Sequence, residues 1–264
     1  MDDALHKVEQ LAREAGELIV AERQKASLSH DFKDGNELVT SADLKADELI
    51  CSSLMSQFPD TLIKSEESAP GMDVASADKP VWIVDPIDGT VNFAHGHIQS
   101  AVSIALAAEG HMQLGVVFNP FTNEMFTAKR GEGAQLNGTS IRVSGETNLR
   151  RALIATGFPY EKSGIDPMVE RVRVILKHCA DIRRLGSAAL DICWVAAGRL
   201  DGYYESLNLW DHAAASLIAR EAGAEVGNFS PVPEGVNPEF HSDYILIASP
   251  ALFEPLHELL KDTV

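Results

Sequence analysis

A chain of 264 residues with 45% hydrophobic content can bury a sizeable core, either as one large domain or as two intimately packed ones. Its formal net charge of -17 argues against binding to nucleic acid or to an anionic membrane surface. No stretch reaches the roughly 20 apolar residues that cross a bilayer, and the acidic opening Met1-Asp2-Asp3 is unlike the basic start of a signal peptide. A cytoplasmic protein is therefore expected. Its three cysteines, Cys51, Cys179 and Cys193, lie far apart without metal-type spacing and read as reduced core residues.

In chain order, Leu5, Val8, Ala12, Ala15 and Ile19 recur at helical spacing, and Leu49, Ile50 and Leu54 mark a second helix after a cap at Ser41 or Asp43. A short apolar strand at Thr61, Leu62 and Ile63 leads into Glu66 and Glu67. Next comes "WIVDPIDGTVNF", residues 82 to 93. Val81, Trp82, Ile83 and Val84 read as a buried strand, and Thr90, Val91, Asn92 and Phe93 open a short helix. Asp-Pro and Asp-Gly are common turn dipeptides, so the bland reading is a surface turn. The setting argues for more. Where a strand's carboxyl end meets a helix's amino end, Asp85 and Asp88 can converge while the amides of Gly89 and Thr90 point outward with the positive end of the helix dipole. Carboxylates suit a hard cation there, and free amides suit a phosphate.

From Ser100 the pattern turns to strands: "AVSIALAA", "MQLGVVF", "EMFTAK" and "LNGTSIRVS", whose Asn137-Gly138 signals a hairpin. Beyond about residue 150, strands "ALIATG", "DGYYES" and "YILIAS" alternate with helices at Met168 to Cys179, 187 to 198, 211 to 222 and after Ser249-Pro250. Two packed halves are expected. Residues 1–148 would form a helical pair plus antiparallel sheet carrying most candidate metal ligands, and residues 149–264 an α/β half contributing Asp211 and a substrate wall.

Each further acid has an ordinary explanation. Asp211 in "LWDHAAASLIAREAG" could cap a helix, and Glu66 and Glu67 could be solvated loop charge. Yet these acids and the Asp85/Asp88 pair sit at three separate element ends, which in a layered fold converge on one cleft. Two carboxylates about 4 Å apart repel by a few kcal/mol at an effective dielectric near 20, so a cluster of four implies metal.

These residues resemble the inositol monophosphatase family of Mg²⁺-dependent, lithium-sensitive phosphatases. "DPIDGTVNF" with an upstream "EES", a downstream "WDHAAA" and the intermediate "LVTSAD" and "RRLGSAALDICWVAAGRLDGYYE" carry the likeness, from about Lys33 to Gly223. The resemblance implies an α+β fold, a layered αβαβα sandwich of the inositol monophosphatase and fructose-1,6-bisphosphatase type. It implies that Glu66, Asp85 and the Ile87 carbonyl hold one Mg²⁺, that Asp85, Asp88 and Asp211 hold a second, and that two or three ions bind per site. Thr90, hydrogen-bonded to Asp43, would position the attacking water with Glu66. The Gly89 and Thr90 amides would cradle the phosphate, and Asp88, Gly186, Ser187, Ala188, Glu205 and Asp211 would face the substrate. A cytoplasmic homodimer hydrolysing inositol monophosphate or a similar small polyol or sugar phosphate follows. The alternatives are a same-fold phosphatase for a 3'-phosphoadenosine nucleotide, fructose-1,6-bisphosphate, NADP or histidinol phosphate, or a regulatory partner-binding protein with a secondary catalytic role.

Other residues read more plainly. Ser65, Ser68 and Ser187 lie in no Gly-x-Ser-x-Gly elbow and have no suitably spaced histidine, which argues against a serine nucleophile. His95 and His97 read as solvated or packing residues, Asp191 as an internal partner within a packed helix, and "GEGAQLNG" as a hairpin. Lys33 reads equally as a phosphate neighbour and as a surface lysine. Against the family pattern, "ESLNLWD" is one residue short after Glu205, His212 replaces a small or apolar residue, and Ile98 stands where proline is frequent. These departures touch the wall around the leaving group and no expected metal ligand.

Overall fold

The computed structural model describes residues 2–25, 30–33, 37–159 and 165–264. The chain runs through α1 (Asp2–Arg23), the two-stranded hairpin β1 (His30–Lys33) and β2 (Glu37–Thr40), α2 (Ser41–Gln57), β3 (Leu62–Ser65), β4 (Val81–Asp88) and α3 (Thr90–Ala94). Next come β5 (Ala101–Ala108), β6 (His111–Asn119), β7 (Glu124–Lys129), β8 (Ala134–Leu136) and β9 (Thr139–Ser140). The remainder is β10 (Leu153–Thr156), α4 (Ile165–His178), β11 (Asp181–Arg183), α5 (Ala188–Ala196), β12 (Gly202–Glu205), α6 (Leu209–Glu221), β13 (Glu225–Asn228), β14 (Ile245–Ala248) and α7 (Pro250–Leu260).

Strands β3 to β9 form a seven-stranded sheet in sequence order, antiparallel except for the parallel β3–β4 pair. A second, five-stranded sheet has the order β11-β10-β12-β14-β13. Strand β4 shows how the layers are cemented, because it alternates. Trp82 and Val84 pack with Val8, Leu11 and Ile19 of α1 and Ile50 of α2, whereas Val81 and Ile83 pack with α5 and α6 residues such as Leu190 and Ala213. All eight β4 residues are buried, as a strand covered on both faces requires. Helix α6 seats closely on β6 through its Ala213-Ala214-Ala215 run: a Cβ on Gly115 would lie 2.6 Å from the Ala214 carbonyl. Residues of α4 and α7 cover the outer face of the smaller sheet in a third core around Phe229 and Leu246. The layers therefore run α1/α2, large sheet, α5/α6, small sheet, α4/α7, the expected α+β sandwich of five layers.

Three local readings change. The cap of α2 is Thr40, one residue before the expected Ser41; its side chain accepts from the Ala42 amide, and Asp43 completes a capping box. Strand β4 continues through the Asp-Pro dipeptide to Asp88, where a turn was weighed. Strands β11 and β13 and the β1–β2 hairpin were not anticipated. The Asn137-Gly138 hairpin is as expected, with both residues at positive φ, 50° and 77°.

Candidate active site

In a regular strand, residues three apart point to opposite faces. Asp85 and Asp88 avoid this because β4 bulges: Asp85 pairs with Ser103 and Asp88 with Ala101, so three steps on β4 oppose two on β5. Pro86, which has no amide hydrogen to lose, falls inside the bulge. The Ile87 side chain turns to the α1/α2 core, while its amide donates to Asp85 Oδ1 at 3.0 Å. Both aspartates consequently face the α5/α6 side. There a carboxylate oxygen from each of Asp85, Asp88 and Asp211 lies within 4.8 Å of the others.

The neighbouring segments hold this arrangement. Asp88 accepts from the Ser187 hydroxyl and, at 2.8 Å, from the Ala189 amide, so the start of α5 is tied to the end of β4. Asp211 is both helix residue and site residue: its Oδ2 accepts from the Asn208 amide at 2.7 Å, closing the capping box of α6. The capping role weighed against a functional one is thus real and compatible with it. Glu66 follows β3, with its amide donating to the Val84 carbonyl at 3.1 Å, and its carboxyl hydrogen-bonds Asp85.

Beneath these groups, α2 presents two carboxylates one turn apart. Asp43 Oδ2 accepts from the Thr40 amide at 2.8 Å, and Asp43 Oδ1 lies 3.1 Å from the Thr90 hydroxyl, which is also 3.1 Å from the Ile87 carbonyl. Asp47 accepts from the hydroxyl of Ser65 and, at 3.4 Å, from the Cys51 thiol. The Ser65 hydroxyl in turn receives the Glu67 amide at 3.4 Å. Asp43 therefore steadies the Thr90 side of the site and Asp47 the Glu66 side. The sequence reading missed Asp47; its spacing of four from Asp43 was the available cue. The three cysteines are free and buried, as expected.

Burial and mutual repulsion perturb the acids strongly. Burial, then the charges of Glu66, Asp88 and Asp211, push Asp85 well above the usual carboxylate range. Burial also raises Asp88, to about 6, against the opposing bonds from Ser187, Ala189 and Ala188. Asp43 is raised by burial, opposed by its bonds to Thr40 and Thr90.

A cavity of about 330 Å³ opens beside the cluster. Asp88, Gly89 and Asp211 border it on one side; Gly186, Ser187, Ala188 and Glu205 form the opposite wall. All the residues expected to face a substrate border it except Thr90, which is buried behind Gly89. Gly89 is required there: its φ is 89°, and an added Cβ would lie 2.8 Å from the Gln99 carbonyl and 2.9 Å from that of Gly186. Glu205 accepts from the Tyr203 hydroxyl, and burial lifts its carboxyl to about 7.

Asp191 corrects an expectation. Read as an internal partner, it is 1% exposed and borders the cavity, yet its Oδ1 has no hydrogen-bond partner among the described residues. An orphaned buried polar atom costs about 1–3 kcal/mol. Burial, with the charges of Asp88 and Glu205, raises its carboxyl well above the usual range. Arg184, which the sequence reading did not single out, also borders the cavity and lies over the Phe158 ring at 5.4 Å. His212 is buried between the hydroxyls of Ser216 at 3.2 Å and Ser242 at 2.9 Å, and burial lowers it to about 3, so it is a neutral core residue. His95 and His97 are exposed and do not border the cavity. The Lys33 side chain lies outside the described residues.

A family model, "Inositol monophosphatase family", matches residues 2–262. The chain belongs to the inositol monophosphatase family. The "Nus factor SuhB" of Vibrio cholerae is 44% identical over 223 residues, covering 83% of this chain and 82% of the relative. Among solved structures, "extragenic suppressor protein suhB" from Bartonella henselae has a TM-score of 0.90 at 36% identity, covering 99% of this chain and all of that one (100%). A Thermotoga maritima IMPase has a TM-score of 0.87 at 31% identity, covering 99% and 98%. The family supports phosphatase chemistry. Among the described residues no helix is long and apolar enough to cross a membrane.

Proposed function

We propose that this chain is a Mg²⁺-dependent phosphomonoesterase that hydrolyses inositol monophosphate or a similar small polyol or sugar phosphate by attack of water. The observation that carries this reading is the convergence of Asp85, Asp88 and Asp211, with Glu66 on Asp85, at the edge of a ligand-sized cavity. The donor set fits a hard divalent cation, because it offers carboxylate oxygens without thiolate or imidazole. Acids pushed upward by one another are also those a cation would relieve.

In this reading Glu66, Asp85 and the Ile87 carbonyl hold one ion, and Asp85, Asp88 and Asp211 a second. Bound ions supply Lewis-acid activation of water and neutralise charge on the phosphoryl oxygens and the departing alkoxide. The chain's own groups supply position. Thr90, fixed by Asp43, and Glu66 orient the attacking water. The Gly89 and Thr90 amides take phosphate oxygens at the start of α3, and the leaving group faces Gly186 to Ala188 and Glu205. Ser187 serves as the cap of α5 and a donor to Asp88, a role that leaves no serine nucleophile in the scheme.

Phosphate release from inositol 1-phosphate, fructose-1,6-bisphosphate, a 3'-phosphoadenosine nucleotide, NADP and histidinol phosphate, titrated with Mg²⁺ with and without Li⁺, tests the reading. Mg²⁺-dependent turnover with inositol phosphate leading and Li⁺ inhibiting supports it; inositol phosphate ranking near the bottom overturns the substrate assignment. Sedimentation is expected to give a homodimer. A second reading draws on the relatives' designation as a Nus factor: a regulatory partner-binding role beside catalysis. Partner capture that persists in a hydrolysis-deficient Asp88→Asn variant supports that role, and absence of any partner ends it.

A further inference from the structure

The site draws on both halves of the chain, so something must hold one half against the other. Gly89 and Thr90, at the start of α3, precede residue 148, whereas the wall of Gly186, Ser187 and Ala188 follows it. Asp88 makes one tie, through Ser187 and Ala189. Asn92 makes a second. Its side-chain nitrogen carries two hydrogens, and it gives one to the Gln99 carbonyl at 2.8 Å and one to the Leu185 carbonyl at 2.7 Å. Gln99 lies just before β5, and Leu185 lies in the loop between β11 and α5, immediately ahead of Gly186.

The two ends of this bridge are not equally secure. Helix α3 has its own seat: Phe93 is buried in the α1/α2 core, the Thr90 hydroxyl bonds Asp43, and the Ser100 hydroxyl donates to the Gly89 carbonyl at 3.1 Å. The loop that leads into the wall has little. Among the described residues, the bond from Asn92 is the only hydrogen bond made by the backbones of Leu185 and Gly186. The space beside it is equally constrained, since Gly186 has a φ of 91° and a Cβ there would lie 2.8 Å from Asn92 Nδ2. Asn92 itself does not border the cavity.

We propose that Asn92 is a positioning residue: by holding the Leu185 carbonyl it sets the Gly186–Ala188 wall at a fixed distance from the phosphate cradle at Gly89 and Thr90. Phosphoryl group and leaving group are then gripped in one relation to each other. This deepens the phosphatase reading and rests on it, adding a residue that acts without touching substrate. The second hydrogen, on the Gln99 carbonyl, anchors the same amide to the phosphate side, so one planar group spans the two halves.

The test uses whichever monoester of the panel above leads for wild-type protein, with inorganic phosphate as a product inhibitor that needs the cradle and not the wall. Asn92→Asp keeps the shape and replaces the donor with an acceptor; Asn92→Ala removes the group. Gly186→Ala pries the same contact from the wall side, so the inference does not hang on one variant folding. Calorimetric Mg²⁺ stoichiometry counts competent sites and corrects each rate for misfolded protein. In all three, kcat/KM is expected to fall at least about tenfold, the scale of loss a small misplacement brings, while the inhibition constant of phosphate and the Mg²⁺ affinity stay within about twofold of wild type. Unchanged kcat/KM in the folded Asn92 variants overturns the role. So does a parallel loss of phosphate inhibition and Mg²⁺ affinity, which marks Asn92 as general scaffold. Wild-type protein that releases phosphate from no compound of the panel overturns the phosphatase reading itself, and this inference with it.

Discussion

The two sides of the cavity are built on opposite principles. On the side formed by α2, β3 and β4, the acids are tied to neighbouring groups: Asp43 holds Thr40 and Thr90, Asp47 holds Ser65 and Cys51, and Asp88 is held by Ser187 and Ala189. On the side formed by α5 and β12, Asp191 Oδ1 is buried without a partner among the described residues, and Glu205 is held by Tyr203 and the Gly157 backbone. The difference teaches that the acid cluster is braced by protein hydrogen bonds, whereas burial dominates the state of the carboxyls on the facing wall. Reaction chemistry needs atoms placed in advance, and the bonded side supplies that placement.

The sharpest way to break the comparison is to remove a charge from the fixed side. Asp85→Asn or Asp88→Asn should lower kcat/KM by more than about a hundredfold, beyond the 10- to 100-fold typical of groups that only support a metal ligand, with circular dichroism unchanged. Undiminished Mg²⁺-dependent turnover in either variant counts decisively against the assignment.

Next in size is Asp47→Asn, which should weaken Mg²⁺ binding about tenfold as measured by calorimetry without substrate. Excess Mg²⁺ should recover most of kcat. A variant that binds Mg²⁺ like the wild type shows that the Glu66 turn does not depend on Asp47.

The acid cluster should also register in stability. Asp88 is raised from the ordinary 3.8 to about 6, so without divalent cations the native state holds more protons than the unfolded chain between these values. Its contribution is fully present below about 4 and is lost as pH rises through 6. Melting temperature measured in a chelator should fall across that window. Mg²⁺ at about a hundred times its Kd should add about 2.7 kcal/mol at neutral pH; a melting curve indifferent to both pH and Mg²⁺ would sink the cluster as a cation site. The smallest effect belongs to the cap: Thr40→Ala should cost about 1 kcal/mol, or about 2–4 °C in Tm for a chain of this size.

Much of this was legible from the residues. The apolar run before Asp85 and the glycine after Asp88 announce a buried strand ending at a helix, and the positions of Glu66 and Asp211 at other element ends point to one cleft. Roles came with the family likeness. What stayed hidden depends on pairing across the chain. Strand β11 is three residues, Asp181–Arg183, with one apolar side chain, and exists because it lies parallel to β10. Strand β13 carries Gly227 and is held by β14. The capping residue fell one place early because Thr, Ser and Asp in "TSAD" all suit a cap, and only the bond to the Ala42 amide chooses Thr40. Asp191 was misjudged for a related reason: a polar residue in an apolar helix is visible in sequence, but whether a donor faces it is not.

The bulge in β4 has a result beyond aim. With Pro86 and Ile87 unpaired against β5, the Ile87 carbonyl is spared from the ladder and turns toward Thr90. A strand one residue shorter would still set both aspartates on one side, but would spend that oxygen on its neighbour. In the proposed reading, the extra residue would therefore offer a cation one more oxygen ligand that brings no further negative charge into a crowded basin. Because it belongs to the main chain, no point substitution deletes it and no change of acidity protonates it.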